Sequence, residues 1–84
     1  MNEITLVQTC EAFPEQYDAF IAGKQVGYLR LRGGYFCARY PDVDGEVIYE
    51  VEPDGSGFFL DYEREKYLEQ AKQAIMEQLR KEVE

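Results

Sequence analysis

Side chains suited to catalysis are scarce in this sequence and widely separated. The chain of 84 residues contains no His, the residue that most often serves as a general base or a metal ligand. Ser56 is the only Ser, and no neighbouring base is evident that would activate it as a nucleophile. Cys10 and Cys37 also lack a His partner. The sequence therefore predicts a protein that is not an enzyme, with no catalytic residue, no cofactor and no bound metal.

The two cysteines are too few to form a disulfide framework. Cys10 and Cys37 both fall in predicted strands, where a free Cys behaves as a small apolar residue. We expect buried thiols and a cytoplasmic protein, and a Cys10–Cys37 bridge only if the two strands are neighbours. Residues Met1–Ile4 have no basic or apolar segment of the kind found in a secretory signal. No apolar run is long enough to span a membrane.

Residues 42–46 contain part of the ligand spacing of a calcium loop, with Asp42, Asp44 and Glu46 around Gly45. The remaining ligands and the closing Glu are missing at the required spacing, so an EF-hand is excluded. The sequence favours an ordinary acidic turn.

The periodicity of apolar residues predicts the strands and the helix that would position any functional site. Alternating residues predict strands at about 3–10, 16–22, 25–32, 35–40 and 46–52. Turns at Ala22–Lys24 and Gly33-Gly34 predict hairpins. Asp61 is the expected N-cap of a helix over about 62–82. Residues 1–84 are therefore predicted to form one α+β domain, a four- to five-stranded antiparallel meander sheet with one C-terminal helix packed on one face.

The predicted core combines one face of the strands with a narrow apolar stripe of the helix. In the third strand, Val26 is assigned to the polar face with Tyr28, and in the fifth strand Glu46, Ile48, Glu50 and Glu52 are assigned to one mostly acidic face. The expected core residues are Leu6, Tyr17, Ala19, Ile21, Leu29, Leu31, Phe36, Val47, Tyr49, Val51, Phe58, Leu68, Ala71, Ile75 and Leu79.

The charge is distributed unevenly along the chain. The net charge is −8, and residues 42–65 carry all of it, with nine carboxylates and the single base Arg64. Residues 19–41 contain bases but no acid. The sequence thus predicts a basic hairpin followed by an acidic strand, loop and helix start.

Two interpretations of the acidic segment remain open. Exposed acid keeps a small domain soluble and prevents pairing of edge strands. Alternatively, a clustered negative field attracts a basic partner, and nucleic-acid-binding proteins are common basic partners. On the second interpretation the partner-binding residues are Asp42, Asp44, Glu46, Glu50, Glu52, Asp54, Asp61, Glu63 and Glu65.

The basic residues also allow two interpretations. Arg30 and Arg32 share a strand face with Tyr28, an arrangement seen in platforms for single-stranded nucleic acid. Pairing of Arg30, Arg32 and Arg39 with the acidic segment across the sheet is the favoured interpretation. Direct nucleic-acid binding is not expected, because the acid would repel phosphates.

The hairpin Tyr17–Tyr35, followed by strand 46–52, a Gly-Ser-Gly loop at 55–57 and a helix, resembles the N-terminal half of the GNAT acetyltransferase fold. In that family the loop cradles the pyrophosphate of acetyl-CoA. Here Pro53 and Asp54 precede the glycines, where the family has Gln or Arg, and Asp61 and Glu63 follow them. The negative charges of these carboxylates oppose a pyrophosphate. A related topology without activity is what the resemblance implies.

Residues Tyr17–Tyr40, together with Asp61–Glu65, resemble small uncharacterised proteins of bacterial phages and mobile elements. That resemblance implies a partner in the host machinery, as for anti-CRISPR proteins and other DNA mimics. We therefore expect a non-enzymatic protein-binding module that presents acid to a basic protein, with such an inhibitor or DNA mimic as its sharpest form, acting as a monomer or homodimer. The alternative is an accessory structural or assembly protein, or the inactive acetyltransferase-like domain.

Overall fold

Five antiparallel strands follow one another in the sheet in chain order, β1-β2-β3-β4-β5. The structure is a computed structural model that describes residues 3–10, 15–54 and 59–83. The elements are β1 (Thr5–Cys10), β2 (Glu15–Ile21), β3 (Lys24–Arg32), β4 (Tyr35–Tyr40), β5 (Glu46–Val51) and α1 (Asp61–Val83). This confirms the α+β class, the meander and the C-terminal helix.

The two central hairpins are closed by two-residue turns. Ala22 and Gly23 have φ of 50° and 83°, and Gly33 and Gly34 have φ of 61° and 79°. Positive φ at both central positions is typical of a type I′ turn, whose twist matches that of the strands it joins. The turns predicted from the glycines are therefore confirmed.

A bulge in β3 corrects the predicted orientation of Val26. Ala19 of β2 is paired with Gly27, and the next residue of β2 is paired with Gln25, so Val26 is an extra residue. An extra residue disturbs the alternation of side chains. Val26 is consequently buried in the core and does not share the polar face of Tyr28.

A second bulge corrects the predicted orientation of β5. Between Ala38 and Arg39 of β4 the pairing skips Ile48, which becomes the extra residue. Val47 therefore lies on the opposite face from Tyr49 and is 37% exposed. The expectation that Val47 belongs to the core is wrong.

Helix α1 packs against β3, β4 and β5 on one face of the sheet. Ala71 and Ile75 of the predicted stripe are fully buried. Gly27 allows this close approach, since a Cβ atom there would lie 2.5 Å from Cδ1 of Ile75. The face of the sheet opposite α1 has no covering layer in the described part of the chain.

Seven of the expected core residues belong to the buried core cluster, namely Tyr17, Ala19, Leu29, Leu31, Phe36, Ala71 and Ile75. Six others are partly buried and pack against that cluster, namely Leu6, Ile21, Tyr49, Val51, Leu68 and Leu79. Phe58 lies outside the described residues, and the adjacent Phe59 is buried, with its ring 5.0 Å from that of Phe36. The core residues that the sequence missed are Ile4, Val26, Ala38 and Phe59.

Gly45 gives a test of the turn between β4 and β5. Its amide donates to the Asp42 carbonyl at 2.9 Å, and a Cβ atom at this position would lie 1.9 Å from the carbonyl oxygen of Tyr40. Because the obstacle is backbone, we expect Gly45→Ala to lower the free energy of unfolding by about 1–3 kcal/mol. Urea denaturation measures this effect.

The matched control is Asp44→Ala, since the Asp44 side chain is exposed. We expect that change to stay within about 0.5 kcal/mol of the parent protein. Equal stability of the Gly45→Ala and Asp44→Ala variants would contradict the close approach at Gly45.

Candidate functional site

The nine carboxylates of residues 42–65 have different environments. Glu63 is fully buried and Asp42 is half-buried. The exposed ones are Asp44, Glu46, Glu50, Glu52, Asp54, Asp61 and Glu65. We call these seven residues the acidic edge, because they surround β5, the last strand of the sheet, and the start of α1.

The acidic edge does not form one face of β5, contrary to the sequence prediction. Glu46 is paired with Tyr40, whose side chain packs against the core, whereas Glu50 is paired with Cys37 on the open face. The bulge at Ile48 separates the two carboxylates, because it reverses the alternation between them. The exposed acid therefore follows the border of the sheet on both sides.

Glu63 has a structural position and is unavailable to a partner, which corrects its assignment as a binding residue. Its Oε1 accepts the Leu60 amide at 2.9 Å and its Oε2 accepts the Asp54 amide. The Leu60 carbonyl accepts the amides of Glu63 and Arg64. Leu60 thus takes the N-cap position and Asp61 is the first helical residue, so the prediction that Asp61 is the N-cap is wrong.

A partly buried network that the sequence did not reveal joins β2 to α1. Nε of Arg64 lies 3.0 Å from Glu15 Oε2, and its Nη2 lies 3.2 Å from Oε1, a bidentate pair on a carboxylate that is only 6% exposed. Tyr17 donates its hydroxyl to Glu15. Burial, and then this hydrogen bond, raise the pKa of Tyr17 to about 12. The sequence predicted that the second strand begins at about residue 16, and Glu15 opens β2 one residue earlier.

The open face of the sheet contains a depression of about 420 Å³ over β3 and β4. We call it the arginine depression. Three cross-strand pairs of β3 and β4 surround it. Arg30 lies opposite Cys37 in the middle, and the pairs Tyr28–Arg39 and Arg32–Tyr35 lie on either side. The residues that line it are Tyr28, Arg30, Arg32, Tyr35, Cys37, Arg39 and Val43.

The arginines of this depression are not neutralised by the acidic segment. In residues 3–10, 15–54 and 59–83, the ion pairs involve only Arg64 and Arg80. Arg39 instead donates from Nη1 to the Gly45 carbonyl at 2.9 Å. The Nε atom of Arg30 is buried and has no hydrogen-bond partner among the described residues. The predicted pairing across the sheet is therefore wrong for these residues.

The cysteine thiols are free. Cys37 is buried as expected, and burial raises the pKa of its thiol, so it is not an activated nucleophile. Cys10 is half-buried. Their strands, β1 and β4, are not neighbours in the sheet, which excludes the bridge between them.

Comparison with known proteins adds no family to these observations. No family model matches the chain, and no curated protein or solved structure is significantly similar to it. No helix in the described part of the chain has both the length and the apolar character needed to cross a membrane. Among the same residues, no three His, Cys, Asp or Glu side chains are grouped so that they could hold a metal ion.

The two backbone hydrogen bonds that Glu63 accepts allow a prediction about the stability of the folded protein. In Glu63→Gln, one of the two carboxylate oxygens becomes an amide that cannot accept a backbone hydrogen bond. We expect a loss of about 1–3 kcal/mol in the free energy of unfolding, measured by urea denaturation. Glu65→Gln removes the same charge from an exposed site two residues later. That control should differ from the parent by no more than about 0.5 kcal/mol, and an equally large effect in both variants would contradict the role of Glu63.

Proposed function

We propose that this protein is a non-enzymatic protein-binding module that presents its acidic edge to a basic partner. The observation that carries the proposal is the exposure of seven carboxylates around one border of the sheet. Of these, Asp61 is the one in an ion pair within the described residues, at 3.6 Å from Arg64. Glu50 accepts a hydrogen bond from Tyr35 at 3.0 Å.

The charge pattern suits recognition that depends on electrostatic steering. Clustered charge of one sign raises the rate of encounter with an oppositely charged surface. At physiological ionic strength such a field decays over about 8 Å. The acidic edge therefore acts locally, and the partner must bring its own basic patch to this border.

A nucleic-acid-binding protein in the cytoplasm is the partner class that we propose, because its binding surface is built to neutralise phosphates. The resemblance to phage and mobile-element proteins favours an inhibitor of such a host protein. A strict DNA mimic is less well supported. The bulge at Ile48 places Glu46 and Glu50 on different sides of the sheet, so they do not form a regular row of charges on one face.

Charge reversal tests this function. We expect Glu46→Lys, Glu50→Lys and Glu52→Lys together to weaken partner binding by at least about tenfold, because three attractive charges become repulsive. The measurement is affinity capture from bacterial lysate at low and high salt, followed by titration of the purified partner.

The matched control reverses Glu3, Glu69 and Glu77, three other exposed carboxylates that line a groove between the start of β1 and α1. This control changes the net charge equally but leaves the acidic edge intact. Capture of no partner, or equal binding by both triple variants, would refute the proposal.

A second candidate function is that of an assembly protein, and β1 is the observation that favours it. This edge strand, Thr5–Cys10, contains no charged residue, and Val7 is 48% exposed. Natural proteins usually protect such edges with charge, since an unprotected edge pairs with a second chain.

If β1 pairs with β1 of a second copy, the molar mass should double as the protein concentration rises. Light scattering measures this, and Val7→Lys should shift the equilibrium to the monomer by placing a charge on the edge. A protein that remains monomeric at the highest attainable concentration would contradict self-association through β1.

A further inference from the structure

The arginine depression is the feature of the open face that the proposed function does not use. Arg30 and Arg39 border the position of Cys37, and both act electrostatically on its thiol. A cysteine is small compared with the tyrosines and arginines around it, so it forms the floor of a hollow. The sheet register thus holds Arg30, Arg32 and Arg39 around one space instead of leaving them spread over a flat surface.

Arg30 lines this space, and the hydrogen bonding of its guanidinium group is incomplete within the described residues. A buried N–H group normally has a partner, because leaving it unpaired costs about 1–3 kcal/mol. Nε of Arg30 has none within the described residues. Arg30 and Arg32 also make no ion pair there, so their guanidinium groups can donate to a ligand.

The chemistry of three arginines selects for a particular kind of anion. The guanidinium group is a planar fork that binds carboxylate or phosphate through two hydrogen bonds. A phosphate monoester carries a charge of about −1.5 to −2 and has three strong acceptor oxygens, whereas a carboxylate has one charge and two oxygens. Three cations that line one depression are therefore matched better by a phosphoryl group.

The surroundings of the depression set the size of the ligand. Tyr28 and Tyr35 flank the arginines and offer apolar rings to the organic part of a ligand. Glu50 is bonded to Tyr35, and Glu52 lies beside Tyr35 in a neighbouring hollow. A long polyanion would meet these carboxylates, while a compact ligand would remain among the arginines, since charges are screened over about 8 Å.

We infer that the arginine depression is a binding site for the phosphoryl group of a compact phosphate monoester, held by Arg30, Arg32 and Arg39. The volume of about 420 Å³ lies within the range of small-molecule sites. A phosphorylated tyrosine side chain and a mononucleotide share this chemistry. The inference does not depend on the function proposed for the acidic edge, although Glu50 of that edge adjoins the depression beside Tyr35.

The experiment is a titration of the full chain with phosphotyrosine and with AMP, followed by NMR of the backbone amides. Tyrosine, adenosine and acetate are the control ligands. We expect saturable binding of at least one monoester, with amide shifts concentrated in residues 28–32 and 35–39. Arg32→Gln should weaken the binding by about tenfold, the usual effect of losing a charge-assisted hydrogen bond.

Arg32 is the preferred variant because its side chain is exposed, so its replacement should not disturb folding. Arg30→Lys is a second variant that keeps the charge but removes the planar fork, and it should also weaken binding. Arg80→Gln is the matched control, since Arg80 is an exposed helical residue paired with Glu77 at 3.1 Å. We expect the control to bind the monoester as the parent protein does.

Binding of phosphotyrosine alone would identify a phosphorylated protein as the source of the ligand, and binding of AMP alone would identify a nucleotide. The inference is overturned if no monoester saturates the protein or if acetate binds equally well. It is also overturned if Arg32→Gln and Arg80→Gln have the same effect. Much tighter binding of a single-stranded oligonucleotide than of AMP would indicate a nucleic-acid platform instead and would equally overturn it.

Discussion

The limited coverage provided by one helix is the constraint on which the other features depend. A helix with its side chains is about 10–12 Å wide, whereas strands lie about 4.8 Å apart, so α1 can cover roughly half of a five-stranded sheet. It packs over β3, β4 and β5, with Gly27 allowing the approach of Ile75. The bidentate pair between Arg64 of α1 and Glu15 of β2 connects the helix to a further strand. The other face of the sheet stays open.

Bulges determine which side chains reach each face. The extra residue in β3 directs Val26 into the core without moving Tyr28 from the open face. The extra residue in β5 keeps Tyr49 under the helix and turns Val47 outward. Since a register shift of one residue inverts every later side chain, these two local features control the composition of both faces.

The two charged segments make no ion pair with each other within the described residues, although they adjoin where Glu50 bonds to Tyr35. The acidic edge surrounds β5 and the start of α1, and the arginine depression lies over β3 and β4. Arg39 bonds to the Gly45 carbonyl and not to a neighbouring carboxylate. In the described part of the chain, the arginines of the depression and the carboxylates of the acidic edge do not form ion pairs with each other. The molecule therefore has one surface suited to a basic partner and another suited to a small anion.

Periodicity and turn chemistry in the sequence determined the five strands, both type I′ hairpins, the helix and its stripe of Ala71 and Ile75, because these depend on neighbouring residues. The surplus of acid in residues 42–65 was likewise visible. Tertiary structure alone decided that Glu63 is buried as a capping residue, that Glu15 pairs with Arg64, and that three arginines line one depression. Those outcomes depend on strand register and on contacts between distant segments, and no local pattern encodes a bulge that reverses a face.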